Sequence, residues 1–284
     1  MQPVTDPFGS HRLSPLWATL VRLCHDESGG GVSRFLAPIV RKLCTRRGRH
    51  TPIDIRVGDL NLRCRFADNY TEKKYVFTPW RYDRAEREAL AAGVRHGGTF
   101  LDIGANIGLY SLLALKAMGQ NEGQVFSFEP NPKALERLRF NLNANPQLGN
   151  HRASIVPYAV SDACHTLRLS NYSRNLGEGM VSRNVVENAS TDVVEIQSKP
   201  LLTLTEENGI SEIKVLKIDV EGHEDLALMP FLEKAPDYLL PKLIILEESP
   251  EKWSSNLIER LQERGYDRNS SNTKNGIFTL DTKK

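Results

Sequence analysis

From Thr99 onward, short apolar runs alternate with stretches in which apolar residues recur every three or four positions. The runs predict strands at 99–103, 124–128, 154–158, 214–218, 242–247 and near 276–280, and the periodic stretches predict helices over 107–118, 132–143, 201–208, 222–233 and 253–264. Strand and helix alternating at this spacing require right-handed crossovers, and so a mostly parallel sheet covered on both faces. Residues 159–200 break the rhythm with two β-prone segments, TLRLS and VVEIQ, separated by a long polar stretch; a loop of that length inside a compact domain is usually functional or disordered.

The N-terminal part follows other periods. Leu13, Leu16, Trp17, Leu20, Val21 and Cys24 keep helical spacing, as do Val32, Phe35, Leu36, Ile39, Val40 and Leu43 after the Gly29-Gly30-Gly31 break, so two amphipathic helices are expected. Residues 53–66 alternate apolar and polar on both sides of Gly58-Asp59, a hairpin signature. A helix rich in Ala, Glu, Arg and Leu follows over 81–94 and stops at Gly97-Gly98. The expected organisation is a helical and hairpin extension over residues 1–80 and an α/β domain over residues 81–284.

At 40% hydrophobic and 25% charged residues, the composition excludes collagen-like, wholly disordered and disulfide-scaffold chains. Its formal net charge of +2 lacks the basic footprint of a nucleic-acid binder, so no nucleic-acid partner is expected. The charge is uneven, however: the first fifty residues hold eight Lys/Arg against three acids. With the two apolar helical stripes, this points to residues 13–47 as a lid or as a peripheral contact with an anionic membrane. Cys24, Cys44, Cys64 and Cys164 show no CxxC and no zinc-ligand spacing, and read as free thiols of a cytoplasmic protein. No secretory leader and no run of transmembrane length is evident. The histidines show no ligand spacing and no metal is expected from them, while magnesium held by carboxylates through Asp219 stays open.

Three blocks carry chemistry. In TFLDIGANIGLYS, a strand ends at Asp102 and turns through Gly104 and Gly108 into a helix, whose first N–H groups face the same crevice. A dinucleotide fingerprint wants G-x-G-x-x-G, and Asn106 stands where its second glycine would be. In FSFEPNP, Glu129 lies at the tip of the neighbouring strand, where a carboxylate accepts ribose hydroxyls. Asp102 with Glu129 suits a ligand that has an amino or sulfonium group and no phosphate. In VLKIDVEGHE, a third strand ends at Asp219, and Asp219, Glu221, His223 and Glu224 crowd its exit as a source of a tuned base, with Glu247 and Glu248 at the next strand end as the second place to look.

At these residues the chain resembles the FkbM family of S-adenosylmethionine-dependent methyltransferases, through LDIGANIGLYSL, FEPNP, KIDVEGHE and the spacing between them, over roughly residues 82–264. The resemblance implies a Rossmann-like class I methyltransferase fold, a doubly wound seven-stranded sheet whose final strand runs antiparallel. It implies S-adenosyl-L-methionine as cofactor, with Asp102, Gly104 and Gly108 at its methionine part, Glu129 at the ribose, Val160-Ser161-Asp162 bordering the adenine, and Asn106 as a further cofactor-binding residue. Asn175-Leu176-Gly177 matches a further family element. The expected reaction is O-methylation of a small-molecule or glycan hydroxyl, with Asp219, Glu221 and His223 as catalytic candidates; Asp219 is equally a candidate ligand of cofactor or substrate. Two other readings stay open: an NAD(P)-dependent oxidoreductase, against which Asn106 counts, and a non-catalytic scaffold that has kept the fold.

Overall fold

The computed structural model describes residues 6–25, 30–47, 51–170, 180–182, 193–271 and 274–281. The extension contains α1 (Pro15–Leu23), α2 (Gly31–Arg47), the hairpin β1 (Ile53–Val57) and β2 (Leu60–Cys64), and α3 (Tyr70–Phe77). There follow α4 (Arg84–Val94), β3 (Gly98–Ile103), α5 (Leu109–Met118), β4 (Gly123–Phe128), α6 (Pro132–Asn143) and β5 (Ala153–Val156). A second group comprises β6 (Ala159–Val160), β7 (His165–Ser170), β8 (Met180–Ser182) and β9 (Val193–Lys199). The chain ends with α7 (Leu201–Glu207), β10 (Val215–Ile218), α8 (Glu224–Lys234), β11 (Leu243–Glu247), α9 (Leu257–Glu263), β12 (Tyr266–Ser271) and β13 (Asn275–Leu280).

The main sheet has the order β12-β13-β11-β10-β3-β4-β5. Strands β5, β4, β3, β10 and β11 are parallel, and β13 runs antiparallel to both β11 and β12. The order reverses direction between β3 and β10, which opens a crevice at their C-terminal ends. One apolar core joins α4, α5 and α6 to the sheet and continues without a break into α1, α2, the hairpin and α3 through Val21, Val40, Ile55, Leu62, Phe66 and Phe77. A second core seats α7, α8 and α9 on the opposite face.

Most predicted elements coincide with observed ones, and α6 spans 132–143 as expected because Asn131 caps it and Pro132 opens it. Elements beyond those expected include α3 and β12. Helix α3 has no amphipathic period, since Glu72 is buried beside Tyr75, Val76 and Phe77; Asn69 caps it by accepting from the Glu72 N–H. Strand β12 is too polar to read as a strand and is held at the sheet edge by pairing with β13. Within residues 159–200, the β-prone segments TLRLS and VVEIQ are β7 and β9 of a separate four-stranded sheet of order β6-β9-β7-β8, packed around Leu167, Leu169 and Ile196, where a long loop was expected. Asn175-Leu176-Gly177 lies outside the described residues.

The hairpin is fastened to α6 by side-chain amides. Asn145, just beyond the helix, accepts from the Asn61 N–H at 2.8 Å and donates to the Asn61 carbonyl at 2.7 Å, while Asn141 accepts from the Arg63 N–H at 2.9 Å. Arg63 forms a buried pair with Asp54 and lies over the Phe140 ring. Arg137 of α6 is likewise paired with buried Glu72 and with Asp68. Because Asn145→Ala strands two backbone groups of a half-buried strand edge, we expect it to lower stability by about 1–3 kcal/mol. Chemical denaturation of the variant against the native chain measures this.

Candidate functional site

The side-chain period of two along each strand builds the site. Asp102, Ser127 and Lys217 occupy one row across β3, β4 and β10, since Asp102 is paired in register with both of the others. Two residues further along each strand, just past the last paired row, come Gly104, Glu129 and Asp219, with Glu247 at the end of neighbouring β11. Three carboxylates therefore share one row, with a glycine in the gap between the first two.

The lower row is buried, and of its three residues Lys217 reaches the cavity lining. Asp102 is fully buried; its Oδ2 accepts from Ser111 Oγ at 2.6 Å, and its Oδ1 lies 3.9 Å from Lys217 Nζ. Ser111 also meets Ser127 at 2.7 Å. Lys217 Nζ donates to Asp219 Oδ2 at 3.3 Å and lies 5.0 Å from the Tyr110 ring centre. Burial works against its charge, but the carboxylates of Asp219 and Asp102 outweigh this and hold the ammonium above its ordinary range.

Above this row lies a cavity of about 570 Å³. One wall consists of Ile103, Ile107, Phe128, Tyr158, Val160 and Leu167, with Glu129 and Ser161 at its edge. The other carries Tyr82, Asp83, Tyr110, Asp219, Glu247 and Lys274. Tyr70, Thr71 and Lys74 of α3 bring the extension into the lining. Asn69 Nδ2 also donates to Asn106 Oδ1 at 3.0 Å, which ties α3 to the glycine turn.

Gly104, Asn106, Glu129, Ser161, Asp219, Glu221 and His223 all line this cavity. Asp102, Gly108 and Asp162 do not: Asp102 lies beneath the floor, Gly108 faces α6, and the Asp162 carboxylate accepts from Ser161 Oγ at 3.0 Å. The glycines have reasons of their own. A Cβ on Gly104 would stand 2.0 Å from the Asp219 carbonyl oxygen, so its absence lets the ends of β3 and β10 approach; a Cβ on Gly108 would stand 2.3 Å from Leu138 Cδ1. Glu129, at the strand tip as expected, is buried, and accepts from the Asn106 N–H at 2.8 Å and the Asn131 N–H at 2.9 Å. Burial lifts its pKa to about 7 in spite of these bonds.

In the turn after β10, Glu221 adopts a left-handed φ of 57°, and His223 precedes α8 as its N-terminal flank. Glu224 is not part of the lining: its Oε1 accepts from the Val220 and Gly222 N–H groups and its Oε2 from Trp253 Nε1, so it braces the turn from below. Asp219, Glu221 and Glu247 each offer an oxygen within 4.8 Å of the others, a spacing that would admit a divalent cation. Asp219 and Glu247 titrate together. Burial and the Asp219 charge lift Glu247 to about 9; for Asp219, burial is outweighed by Lys217 and by the Glu247 hydrogen bond, leaving it below its ordinary range. The two carboxylates are thus driven apart, Glu247 toward its neutral form and Asp219 toward its ionised form.

Lys217, Tyr82, Asp83 and Tyr110 are additions to the candidates read from sequence. Asp83 has a left-handed φ of 43° and accepts from Tyr110 Oη at 3.0 Å. A lysine inside the apolar run VLKI was the available signal for Lys217, because lysine is rarely fully buried unless paired.

The strand order, with β13 inserted antiparallel beside β11 and the crevice at the reversal, is that of the Rossmann-like class I S-adenosylmethionine methyltransferases. Within that class the chain belongs to the Methyltransferase FkbM domain family, which matches residues 102–268, more than half of its length. Among solved structures it is similar to a methyltransferase FkbM from Methylobacillus flagellatus KT, at 14% identity and a TM-score of 0.41, over 86% of this chain and 60% of that one. It is also similar to an rRNA methylase from Streptococcus thermophilus, at 13% identity and a TM-score of 0.39, over 69% of this chain and 95% of that one. A SAM-dependent methyltransferase from Agrobacterium tumefaciens aligns at 11% identity and a TM-score of 0.39, over 70% of this chain and 54% of that one. No curated protein matches the chain significantly. No helix among the described residues is long and apolar enough to cross a membrane.

Gly104→Ala must push the ends of β3 and β10 apart and hold alanine at a φ of 77°. Backbone strain of this kind costs about 1–3 kcal/mol, so a lowered melting temperature is expected, together with loss of whatever the cavity binds.

Proposed function

We propose that the protein transfers a methyl group from S-adenosyl-L-methionine to a hydroxyl oxygen of a small-molecule or glycan acceptor. The observation that carries this reading is the row of Glu129, Asp219 and Glu247 that the ends of β4, β10 and β11 bring to the cavity. The cofactor fits the residues present. Both Glu129 oxygens keep a free lone pair for a ribose hydroxyl, Ser161 lies beside them, and Ile103, Phe128, Tyr158 and Val160 supply an apolar slot for a purine. Gly104 and Asn106 border the methionine end, while Asp102 and Gly108 hold the turn in shape from outside the cavity. S-adenosyl-L-methionine, when bound, supplies the electrophilic methyl.

The chain's own part is to align and to take up a proton. A sugar hydroxyl is a weak nucleophile until its proton has an acceptor. Asp219, kept ionised by Lys217, is that acceptor; Glu247, neutral at physiological pH, donates a hydrogen bond to it, and Glu221 and His223 border the acceptor's approach. Tyr82 and Asp83 close the far side. Alignment is the larger contribution, worth about 7–11 kcal/mol when reacting groups are held in line, against about 100- to 10,000-fold for a base. Residues 1–80 act as an extension whose α3 completes the cavity wall, and residues 81–284 form the catalytic domain. Cys24, Cys44, Cys64 and Cys164 are not joined in disulfides, which suits a reducing, cytoplasmic setting.

Two experiments test this reading. Calorimetry with S-adenosylhomocysteine should give binding that weakens as pH falls through about 7, because protonated Glu129 loses an acceptor, and Glu129→Ala should weaken it at least tenfold. Binding of NAD in preference, or an unchanged dissociation constant in the variant, overturns the cofactor assignment. In turnover, Asp219→Asn should lower kcat by about 100- to 10,000-fold while S-adenosylhomocysteine still binds. Glu247→Gln, which imitates the neutral form present below about pH 9, should stay near the native kcat at neutral pH. The reverse order of effects would make Glu247 the base, and mass spectrometry of the product fixes the methylated atom.

A further inference from the structure

A second concavity, of about 590 Å³, shares no lining residue with the first. Arg34, Ala37, Pro38 and Arg41 of α2 form one wall, and Thr78, Trp80 and Arg81, from the segment that joins α3 to α4, form the other. Arg34 and Arg41 are seven residues apart, nearly two turns of helix, so they leave α2 on one side and about 10.5 Å apart along its axis, with Ala37 and Pro38 between them. The opposite wall is braced. The Thr78 carbonyl accepts from the Arg81 and Tyr82 N–H groups, each at 3.0 Å, and Arg87 of α4 donates to the carbonyls of Pro79 and Tyr82. Trp80, half-buried against the core, stands within this braced segment.

This cleft is lined by three arginines and no acidic residue. All three are exposed, and none forms an ion pair with another described residue. Like charges gathered without a counter-charge repel one another, so the cleft gains from an anion. Planar guanidinium forks match phosphate oxygens in pairs. One phosphate monoester carries a charge of about −1.5 to −2 at neutral pH, too little to offset three cations. A chain of phosphates meets both that charge and the two-turn separation of Arg34 and Arg41. The cleft also exceeds what an inorganic ion fills, since small-molecule sites typically run to about 300–1,000 Å³. Trp80, Ala37 and Pro38 offer the rest of such a ligand an apolar wall with one aromatic surface.

We propose that this cleft is a binding site for a nucleoside di- or triphosphate, separate from the first cavity: Arg34, Arg41 and Arg81 take the phosphates, and Trp80 takes the base. Charge selects this occupant over a phosphatidylglycerol headgroup, which brings a single negative phosphodiester to three cations. A base stacks on an aromatic side chain whatever its identity, so the site needs no further polar group to hold the ring. Arg81 immediately precedes Tyr82 and Asp83, which line the first cavity, so the two sites are served by adjoining residues of one braced segment.

The test is calorimetry on the full chain at physiological ionic strength, with guanosine 5′-triphosphate as titrant, in the presence and absence of saturating S-adenosylhomocysteine. One nucleotide per chain should bind, with the same affinity in both conditions. Each of Arg34→Gln, Arg41→Gln and Arg81→Gln should weaken it about tenfold, the scale of a hydrogen bond to a charged group, and should keep the native melting temperature. Trp80→Phe, which keeps a ring against the core, should still bind the nucleotide but lose the quenching of tryptophan fluorescence that a stacked base causes. Absence of binding, affinity unchanged in the arginine variants, or quenching unchanged in Trp80→Phe overturns the proposal. Exclusion of the nucleotide by S-adenosylhomocysteine would assign it to the first cavity. Inorganic pyrophosphate that binds as tightly as the nucleotide would make the cleft a bare anion site. Phosphatidylglycerol vesicles that displace the nucleotide would make it a lipid site, and single-stranded RNA that binds more tightly through the same arginines would make it a nucleic-acid surface. Each of these four results also overturns the proposal.

Discussion

Lys217 places one ammonium among carboxylates that could not otherwise share so small a volume. Asp102 is wholly enclosed, Asp219 lies next to Glu247, and each would favour its neutral form without a cation at hand. A charge buried without a partner is costly, and removing one member of such a set leaves the others exposed to that cost. The ammonium resolves the conflict unequally: Asp219, the nearer carboxylate, is held ionised, while Glu247 takes a proton. The floor of the cavity is thus an electrostatic arrangement of one cation and graded acids, and the fold supplies it through nothing more than the alternation of side chains on paired strands.

The extension stands in a similar relation to the glycine turn. Asn69 caps α3 with one side-chain atom and reaches Asn106 with another, so the conformation of the turn and the start of the extension's last helix depend on the same residue. Arg137 and Glu72 secure α3 to α6, and the continuous core beneath them leaves no plane along which the two parts separate cleanly.

Much of this was legible in the chain. Asp102, Glu129 and Asp219 each end an apolar run, which is where an open parallel sheet places its ligand-facing groups, and the β3, β4 and β10 neighbours follow from the crossover rule. The roles of the glycines were not legible, because the atoms that demand them, the Asp219 carbonyl and Leu138, are far away in sequence. Asp102 and Gly108 sit in the same motif as Gly104 but face away from the cavity, and spacing alone does not distinguish the two sides of a turn. Of the small sheet over 159–199, the β-prone segments TLRLS and VVEIQ were legible and form β7 and β9, whereas their pairing was not, since only Leu167, Leu169 and Ile196 make its core. Asp83 and Tyr110 belong to different elements, and their meeting depends on a left-handed backbone that no periodicity reveals.

The asparagine fastening of the hairpin has an effect beyond stability. Four residues of α-helix rise about 6 Å, and two residues of strand about 6.8 Å, so amides spaced four apart along α6 and its exit can stand opposite alternate residues of β2. Asn141 and Asn145 thereby act as a proxy for a third strand. A two-stranded ribbon with a free edge invites pairing with a neighbouring chain. Here the edge at Asn61 and Arg63 is already occupied by side chains of the same molecule, which removes that template for aggregation without adding another strand to the sheet.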